Sequence, residues 1–447
     1  MRGSYLKTLI ALAVLAGVWG GSVYWNRRLK KQSHKAAATR RKKLLPVPSK
    51  DIEAFTLKPR AGQAVSCDRK QGQWEITQPL SLPADSTDVS GFLDSLTGAT
   101  VHDVVSEHPS NLKDYGLDPP AETITVTTAT APHKLTLLLG DTTPTDNGLY
   151  AQVGGKPAVF TLASYMRASL EKSLFDLRDK RAVTLNVSQL QKIQVSSGKK
   201  RYTLVKNPEG AWDLMLPPAV RADHFSVEDM VDDLRDLQMQ SILEETKRNL
   251  GPYGLTSPRM TLRLTGAGQT QTLVLGKKNS HGNYDAMNTS LNPVFTLSSD
   301  FFSDFDKSPA QLRDKNLFSF STFDVHKLEV TTPKGHWAFE QQKNQWQQTV
   351  PSRKKESSNK VENLIDDLSG LEAKFFPTKN PTDLAAYGLT HPLYRFEVTY
   401  SKKSKTQTVL AAKVGNHVYA RRPADPVPSE ISVSDLKNIV NALDTLK

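Results

Sequence analysis

Apolar and polar positions alternate over many short stretches of this chain, and between them lie stretches in which apolar residues recur every three or four positions. The first pattern predicts half-buried β-strands, and the second predicts amphipathic helices. The same order occurs three times after residue 50: strands, a helix, a Tyr-Gly-Leu sequence, further strands and a closing helix. Short links favour antiparallel pairing, so the predicted fold class is α+β, with three tandem repeats of a mostly antiparallel sheet with helices.

Two unrelated markers give the repeat the same length. Tryptophans recur at spacings of 138 and 134 residues, as Trp74, Trp212 and Trp346. The Tyr-Gly-Leu sequence recurs at the same two spacings, as Tyr115, Gly116 and Leu117, then Tyr253, Gly254 and Leu255, and finally Tyr387, Gly388 and Leu389. This agreement predicts three modules of ordinary domain size, over residues 51–182, 183–318 and 319–447.

The Tyr-Gly-Leu sequence has the features of a helix stop signal. A leucine stands three residues before each tyrosine, as Leu112 does before Tyr115, and a proline follows shortly afterwards, as Pro120 does. A glycine in the left-handed conformation ends a helical turn, and the leucines on its two sides then pack together. The alternative interpretation is that the tyrosine is presented to a binding partner three times.

A third marker, Leu-Arg-Asp-Lys, ends the first two modules but does not occur at the end of the third. It contains Arg178 and Asp179 in the first module, and Arg313 and Asp314 in the second. Because it occurs where another module follows, we interpret it as a connector whose arginine binds carbonyl or carboxylate groups across a boundary. The alternative is a charged helix C-terminus that is favoured by the helix dipole.

The N-terminus predicts a membrane anchor. Residues 8–25 form an uncharged run rich in Leu, Ala and Val that ends in Tyr24 and Trp25. A helix of about 20 apolar residues spans a bilayer, and aromatic residues favour its interface. We therefore expect a single-pass transmembrane anchor within residues 1–26. A cleaved signal peptide is the alternative.

Positive charge is concentrated directly after this segment. Residues 27–50 carry ten basic side chains, and no acidic residue precedes Asp51. Together with Arg2 and Lys7, these account for the whole net charge of +12. This juxtamembrane linker and residues 8–25 are expected to contact membrane lipid. The modules are neutral overall, so no nucleic-acid partner is expected.

The orientation in the membrane stays open from sequence alone. Ten positive charges after the span would keep the modules in the cytoplasm by the positive-inside rule. A short N-terminal anchor that is similar to an export signal favours the opposite orientation. We expect the inner (cytoplasmic) membrane as the location, with most of the chain outside the cytoplasm.

The chain has few candidates for chemistry. Catalytic and phosphate-binding signatures such as Gly-x-Ser-x-Gly, Gly-x-x-x-x-Gly-Lys-Ser/Thr and His-Glu-x-x-His are absent. Cys67 is the single cysteine, which excludes an intramolecular disulfide. The sequence therefore predicts a protein that is not an enzyme, with no catalytic residues, no cofactor and no metal site.

The order of these elements resembles the bacterial DUF4340 family. The resemblance rests on the tryptophan strand, Tyr-Gly-Leu-x-x-Pro, an apolar strand that ends in Gly140 or Gly276, and Leu-Arg-Asp-Lys. The third copy departs from it, because Ala411 and Ala412 replace the apolar-glycine strand end and a proline-rich segment occupies residues 423–428. The resemblance implies an exported or membrane-anchored protein of unknown function that is often associated with ABC-type transport systems of the gliding-motility kind.

These observations favour a membrane-anchored, non-enzymatic scaffold or accessory protein of the bacterial envelope. Its expected partners are proteins, with ABC transporter subunits as the leading class. The alternative is a glycan-, peptidoglycan- or small-molecule-binding receptor, for which Tyr150, Tyr284 and Tyr419 on equivalent strands would form the platform if they are exposed. The same three tyrosines are equally compatible with core positions.

Overall fold

A computed structural model describes residues 43–131, 133–379 and 381–446 of the chain. Over these residues the chain divides into two compact units, one up to Lys180 and one from Arg181 onward. The first unit holds module 1, and the second holds modules 2 and 3. The predicted transmembrane segment, residues 8–25, lies outside the described residues, and no helix within them is long and apolar enough to cross a membrane.

The described residues of module 1 form nine strands and three α-helices. The strands are β1 (Ile52–Pro59), β2 (Val65–Lys70), β3 (Gln73–Gln78), β4 (Leu82–Pro83), β5 (Asp103–Ser106), β6 (Glu122–Thr128), β7 (Lys134–Thr142), β8 (Gly148–Val153) and β9 (Val159–Ala163). The helices are α1 (Ser86–Gly98), α2 (Met166–Leu170) and α3 (Leu174–Leu177).

Module 2 repeats this order. Its strands are β10 (Leu190–Ser197), β11 (Lys200–Lys206), β12 (Trp212–Leu214), β13 (Val220–Arg221), β14 (Ser241–Glu244), β15 (Met260–Gly266), β16 (Gln269–Lys278), β17 (Tyr284–Asn288) and β18 (Val294–Leu297). Its helices are α4 (His224–Asp236), α5 (Ser299–Phe305) and α6 (Pro309–Leu312).

Module 3 has the same order of strands. These are β19 (Val325–Thr332), β20 (Gly335–Gln342), β21 (Gln345–Val350), β22 (Lys354–Lys355), β23 (Ala373–Phe375), β24 (Tyr394–Tyr400), β25 (Lys405–Val414), β26 (His417–Arg421) and β27 (Ser429–Ile431). Its helices are α7 (Ser358–Ser369) and α8 (Val433–Asp444).

In the described part of each module, nine strands form one antiparallel sheet with the same topology. In module 1 the order is β4-β3-β2-β1-β6-β7-β8-β9-β5, and modules 2 and 3 repeat it strand for strand. The first strand of each module pairs in the centre with the strand that follows the Tyr-Gly-Leu sequence. The predicted α+β class and its three repeated modules are therefore confirmed, and the sheets are antiparallel throughout their pairings.

Helices cover one face of each sheet, because the apolar side of the helices and the apolar face of the sheet are buried against each other. In module 1, α1 buries Val89, Phe92 and Leu96, and Phe55 on β1 lies in the same core. The side chain of Asp85 accepts hydrogen bonds from the first turn of α1, which satisfies backbone donors that the helix itself leaves unpaired. Each module thus has its own hydrophobic core between its helices and one face of its sheet.

The predicted closing helices differ from those in the structure in modules 1 and 2. The pattern over residues 165–177 indicates one helix, but the structure has α2 and α3 with a break between them. Ser173 caps α3 through a reciprocal capping box with Asp176, and Ser308 does the same for α6 with Gln311. The second helix therefore starts anew because its first turn is capped by a side chain. In module 3, α8 is continuous.

Candidate functional sites: a module joint and a cleft

The tryptophan markers are core residues. Trp74, Trp212 and Trp346 are buried, each in the core of its own module. The Trp74 ring packs on Phe55 with the ring centroids 5.5 Å apart. Their repetition therefore follows from packing, since each fills the same place beside the amphipathic helix.

The Tyr-Gly-Leu markers form tight turns. Gly116, Gly254 and Gly388 have φ values of 66°, 67° and 68°, the left-handed conformation that a stop signal requires. The amide of Leu117 donates to the carbonyl of Leu112 at 3.0 Å, and the same bond closes the other two turns at 3.2 and 2.9 Å. This is the bond that ends a helical turn in a Schellman motif.

The apolar strand that ends in glycine belongs to the same structure. A Cβ atom at Gly140 would lie 2.1 Å from the carbonyl oxygen of Tyr115, and one at Gly276 would lie 2.0 Å from that of Tyr253. The turn can approach the strand this closely only because no side chain intervenes. Module 3 has Ala412 at this position, so its turn must tolerate a methyl group there.

The three tyrosines proposed as a glycan platform do not share one surface. Tyr150 packs edge-on against Tyr115, and Tyr419 packs edge-on against Tyr387, with centroids 5.2 and 4.8 Å apart. Tyr284 is buried and stacks on Phe302. The strand registers explain the difference, because Tyr284 lies one position away from the place that Tyr150 and Tyr419 occupy, and one position reverses the face of the sheet.

The Leu-Arg-Asp-Lys segment of module 2 bridges modules 2 and 3. The amide of Asp314 donates to the carbonyl of Arg221 on β13 at 3.0 Å. Three residues later, the amide of Leu317 donates to the carbonyl of Leu371 of module 3 at 3.0 Å. One extended segment therefore pairs with a backbone strand of each module in turn. In module 1, Asp179 forms the corresponding backbone bond to Pro83, and Arg178 is buried.

Arginine side chains join the two modules at this segment. Arg221 Nη1 lies 2.9 Å from Asp314 Oδ2, and Arg221 Nε lies 3.3 Å from Asp425 Oδ1. Arg422 of module 3 donates from Nε to the carbonyl oxygen of Leu317 at 2.6 Å. Arginine can make several such bonds from one planar group, which fixes direction as well as distance. We call this arrangement the module joint.

Burial perturbs the charged groups of the module joint. The guanidinium of Arg313 lies 3.7 Å from the centroid of the Phe376 ring, and burial lowers the pKa of Arg313 to about 10. Burial also raises the pKa of Asp314, although Arg221 opposes this shift. A cavity of about 20 Å³ remains among these residues, large enough for a water molecule. Arg313 stays charged at neutral pH and contacts the Phe376 ring of module 3, whereas Arg221 forms the ion pairs of the joint with Asp314 and Asp425.

Module 3 also contributes an apolar side chain to the module joint. Val427, in the proline-rich segment 423–428, is buried in the hydrophobic core of module 2. The same segment positions Asp425 against Arg221. One departure of the third copy from the repeat pattern, the proline-rich segment, is therefore part of the contact between modules 2 and 3.

A second site lies wholly within module 1 and was not predicted from the sequence. It is an open cleft of about 640 Å³ between the β1–β2 hairpin, the start of β6 and the α2–α3 segment. Glu122, Arg167 and Glu171 line it together with apolar residues. When the modules are aligned by their markers, Glu122 corresponds to Met260 and Tyr394. A charged residue at a position that is uncharged in the other two modules was the feature of the sequence that could have indicated this site.

The described residues give little support for metal or thiol chemistry. No group of three or more His, Cys, Asp or Glu side chains within them could hold a metal ion. Cys67 is buried, and burial raises the pKa of its thiol to about 12. A thiol with such a pKa is protonated at neutral pH and is a poor nucleophile.

These features define a tandem-repeat α+β protein in which modules 2 and 3 are joined by a partly buried ion network. The model of the family described as a domain of unknown function, DUF4340, matches residues 74–218 and 212–392. The chain therefore belongs to the DUF4340 family, which confirms the resemblance noted in the sequence. Each match begins at a marker tryptophan, so the family unit is out of phase with the structural module. Comparison with curated proteins gives no significant match.

Proposed function

We propose that the chain is a non-enzymatic scaffold or accessory protein, anchored in the inner (cytoplasmic) membrane of a bacterium, that braces protein partners in the envelope. The partner class to test first is the subunits of an ABC-type export complex. The observation that carries this proposal is the module joint. A scaffold must present its binding surfaces at fixed spacing, and the joint fixes modules 2 and 3 by backbone pairing, ion pairs and an inserted apolar side chain.

The energetic reason for such a joint is effective concentration. When two surfaces of one chain contact the same partner, the second contact forms within a complex that already exists. Weak contacts then add to a stable assembly only if their geometry permits both at once. A rigid link between two modules removes conformations in which the second contact cannot form.

The test is co-purification of tagged full-length protein from its own host in mild detergent, followed by quantitative mass spectrometry. We expect permease and ATPase subunits to accompany the protein. An Arg221→Met variant loosens the module joint and should recover less of them. Arg60→Met is the matched control, because Arg60 forms an exposed ion pair with Asp141 in module 1.

Two outcomes would contradict this proposal. Recovery of the protein alone, under conditions that keep a known membrane complex intact, would contradict the proposal that transporter subunits are its partners. Some reporter proteins are active only in the cytoplasm. Activity of such a reporter fused after Lys447 would show that the proposed orientation of the modules is wrong.

A further inference from the structure

The cleft of module 1 has a polar floor and apolar walls. Its walls include Leu57 on β1, Val65 on β2 and Leu174 on α3. Glu122, the first residue of β6, lines the cleft and is only 5% exposed. Its Oε1 atom is buried and has no hydrogen-bond partner among the residues that the structure describes. A buried carboxylate without a partner is costly, because it has lost its hydration without gaining another donor.

The other charged groups that face this floor do not neutralise Glu122. The lining contains two further acids, Glu171 and Asp176, and two bases, Arg167 and Lys172. Arg167 is already occupied, since one guanidinium nitrogen contacts Glu171 and the other donates to a backbone carbonyl at 2.8 Å. The Lys172 ammonium donates to the carbonyl oxygen of Ala168 at 2.8 Å. Burial, and to a smaller extent the charge of Glu171, raise the pKa of Glu122 to about 7. The site therefore favours either a proton or an external cation.

The corresponding place in module 2 is filled by the protein itself. The strand registers align Val65 with Tyr202 and with Trp337 of module 3. Tyr202 is buried, and its hydroxyl donates to the carbonyl oxygen of Phe305 at 2.8 Å. Val65 has a much smaller side chain, so the same position leaves space in module 1.

The other modules also place a lysine ammonium beside an acid of the closing helical segment. In module 2, Lys200 Nζ lies 2.8 Å from Asp306 Oδ2, and in module 3, Lys334 Nζ lies 2.7 Å from Asp444 Oδ2. Both lysines come from the hairpin between the first two strands of their module. Glu171 is the matching acid of module 1, since it follows α2 as Asp306 follows α5.

The hairpin of module 1 is built differently and supplies no lysine. It is longer, with residues 60–64 between β1 and β2, and contains Arg60 instead. The Arg60 guanidinium donates to the carbonyl oxygen of Gly116 at 2.8 Å and pairs with Asp141. Module 1 thus keeps Glu171 as the matching acid, pairs it with Arg167 from its own helix, adds Glu122, and has no lysine from the hairpin in the lining of the cleft.

We propose that the cleft of module 1 binds a ligand that carries a primary ammonium group on an alkyl stem. Glu122 accepts hydrogen bonds from the ammonium, and Leu57, Val65 and Leu174 contact the stem. The chemistry is that of a lysine side chain or of a small aliphatic diamine. This proposal concerns module 1 alone and does not depend on the scaffold function.

The test is isothermal titration calorimetry of the full-length protein with two probes, 1,5-diaminopentane and a short peptide with one lysine. We expect saturable binding of at least one probe at a pH about one unit above the pKa of Glu122, and weaker binding when Glu122 is protonated. Binding of the diamine alone would indicate a free amine as ligand, and binding of the peptide alone would indicate a lysine of a partner protein.

Two variants distinguish a ligand site from a structural role. Glu122→Gln preserves shape but removes the charge, and we expect it to weaken binding by about tenfold or more. Val65→Tyr fills the cleft as Tyr202 does in module 2, and should abolish binding while the chain stays folded. Glu53→Gln, an exposed change on β1, is the matched control and should bind as the native protein does.

The proposal is overturned if neither probe binds saturably at millimolar concentration. It is equally overturned if Glu122→Gln binds as tightly as the native protein. Equal binding of the monoacetylated diamine and of its neutral diacetylated form would show that the apolar walls, and no ammonium, hold the ligand.

Discussion

Modules 1 and 2 have the same fold but differ in the space between the first hairpin and the closing helical segment. Module 2 fills it with Tyr202 and an internal Lys200–Asp306 ion pair. Module 1 leaves a cleft there and buries Glu122 at its floor. A repeated fold therefore does not imply a repeated site, because a few substitutions on a common backbone convert a core position into a cavity.

The largest expected effect comes from making module 2 resemble module 1. Tyr202→Val removes a buried ring and leaves the carbonyl of Phe305 without its donor, so we expect a loss of about 2–4 kcal/mol in the stability of module 2. Hydrogen exchange of β11 and β15, followed by mass spectrometry, measures this locally. The reverse change, Val65→Tyr, should alter module 1 by less than about 1 kcal/mol, because the cleft has room for the ring. Equal losses in both variants would show that the two spaces are equally packed.

The module joint and an exposed ion pair provide a second comparison. Arg221→Met leaves Asp314, whose side chain is 15% exposed, without its closest cation, and should cost about 1–3 kcal/mol. Arg60→Met breaks a pair whose side chains are 42% and 59% exposed, together with one hydrogen bond to the carbonyl oxygen of Gly116, and should cost about 1 kcal/mol or less. Thermal unfolding of the two variants at equal ionic strength checks the order. A larger loss for Arg60→Met would contradict the structural role of the joint.

The pH dependence of stability separates Glu122 from Met260, its counterpart in module 2. The folded state holds a proton on Glu122 that the unfolded state releases at lower pH, because burial raises the pKa of Glu122 to about 7. The free energy of unfolding therefore falls as pH rises from about 4.5 to 7, because the folded state disfavours the ionised Glu122. Above this range the contribution of Glu122 no longer changes with pH. Glu122→Met should raise stability by about 1–3 kcal/mol above this range and have little effect at pH 4 or below. The measurement is the free energy of unfolding of module 1 as a function of pH across this range. Parallel curves for the native protein and Glu122→Met would contradict the expectation.

The smallest effect concerns a feature that the modules share. Gly254 has a φ of 67°, and a Cβ there would lie 3.0 Å from the amide nitrogen of Lys277, so Gly254→Val should cost on the order of 1 kcal/mol or more. Gly91→Ala within α1 is the control, because nothing lies within 4 Å of its Cβ and alanine favours a helix. An unchanged melting temperature for Gly254→Val would count against the stop-signal interpretation.

Local sequence features predicted much of the fold. The markers gave the repeat length, and left-handed glycines such as Gly116 follow from the turn chemistry of Tyr-Gly-Leu. The break in the closing helix was not predicted, because the apolar spacing continues across it. The capping of α3 by Ser173 starts a new helix at that point. Of the two interpretations of the three tyrosines, a core position holds for Tyr284, where a register difference of one residue turns the side chain into the core.

The sequence by itself determined the repeat and most of the order of strands and helices within it. These depend on neighbours within a few residues or on identical spacings. Tertiary structure alone decided the two sites. Arg221 and Asp425 are 204 residues apart and meet only when modules 2 and 3 are packed together. Glu122, Val65 and Glu171 come from three elements, and their chemistry depends on burial, which no local pattern of residues specifies.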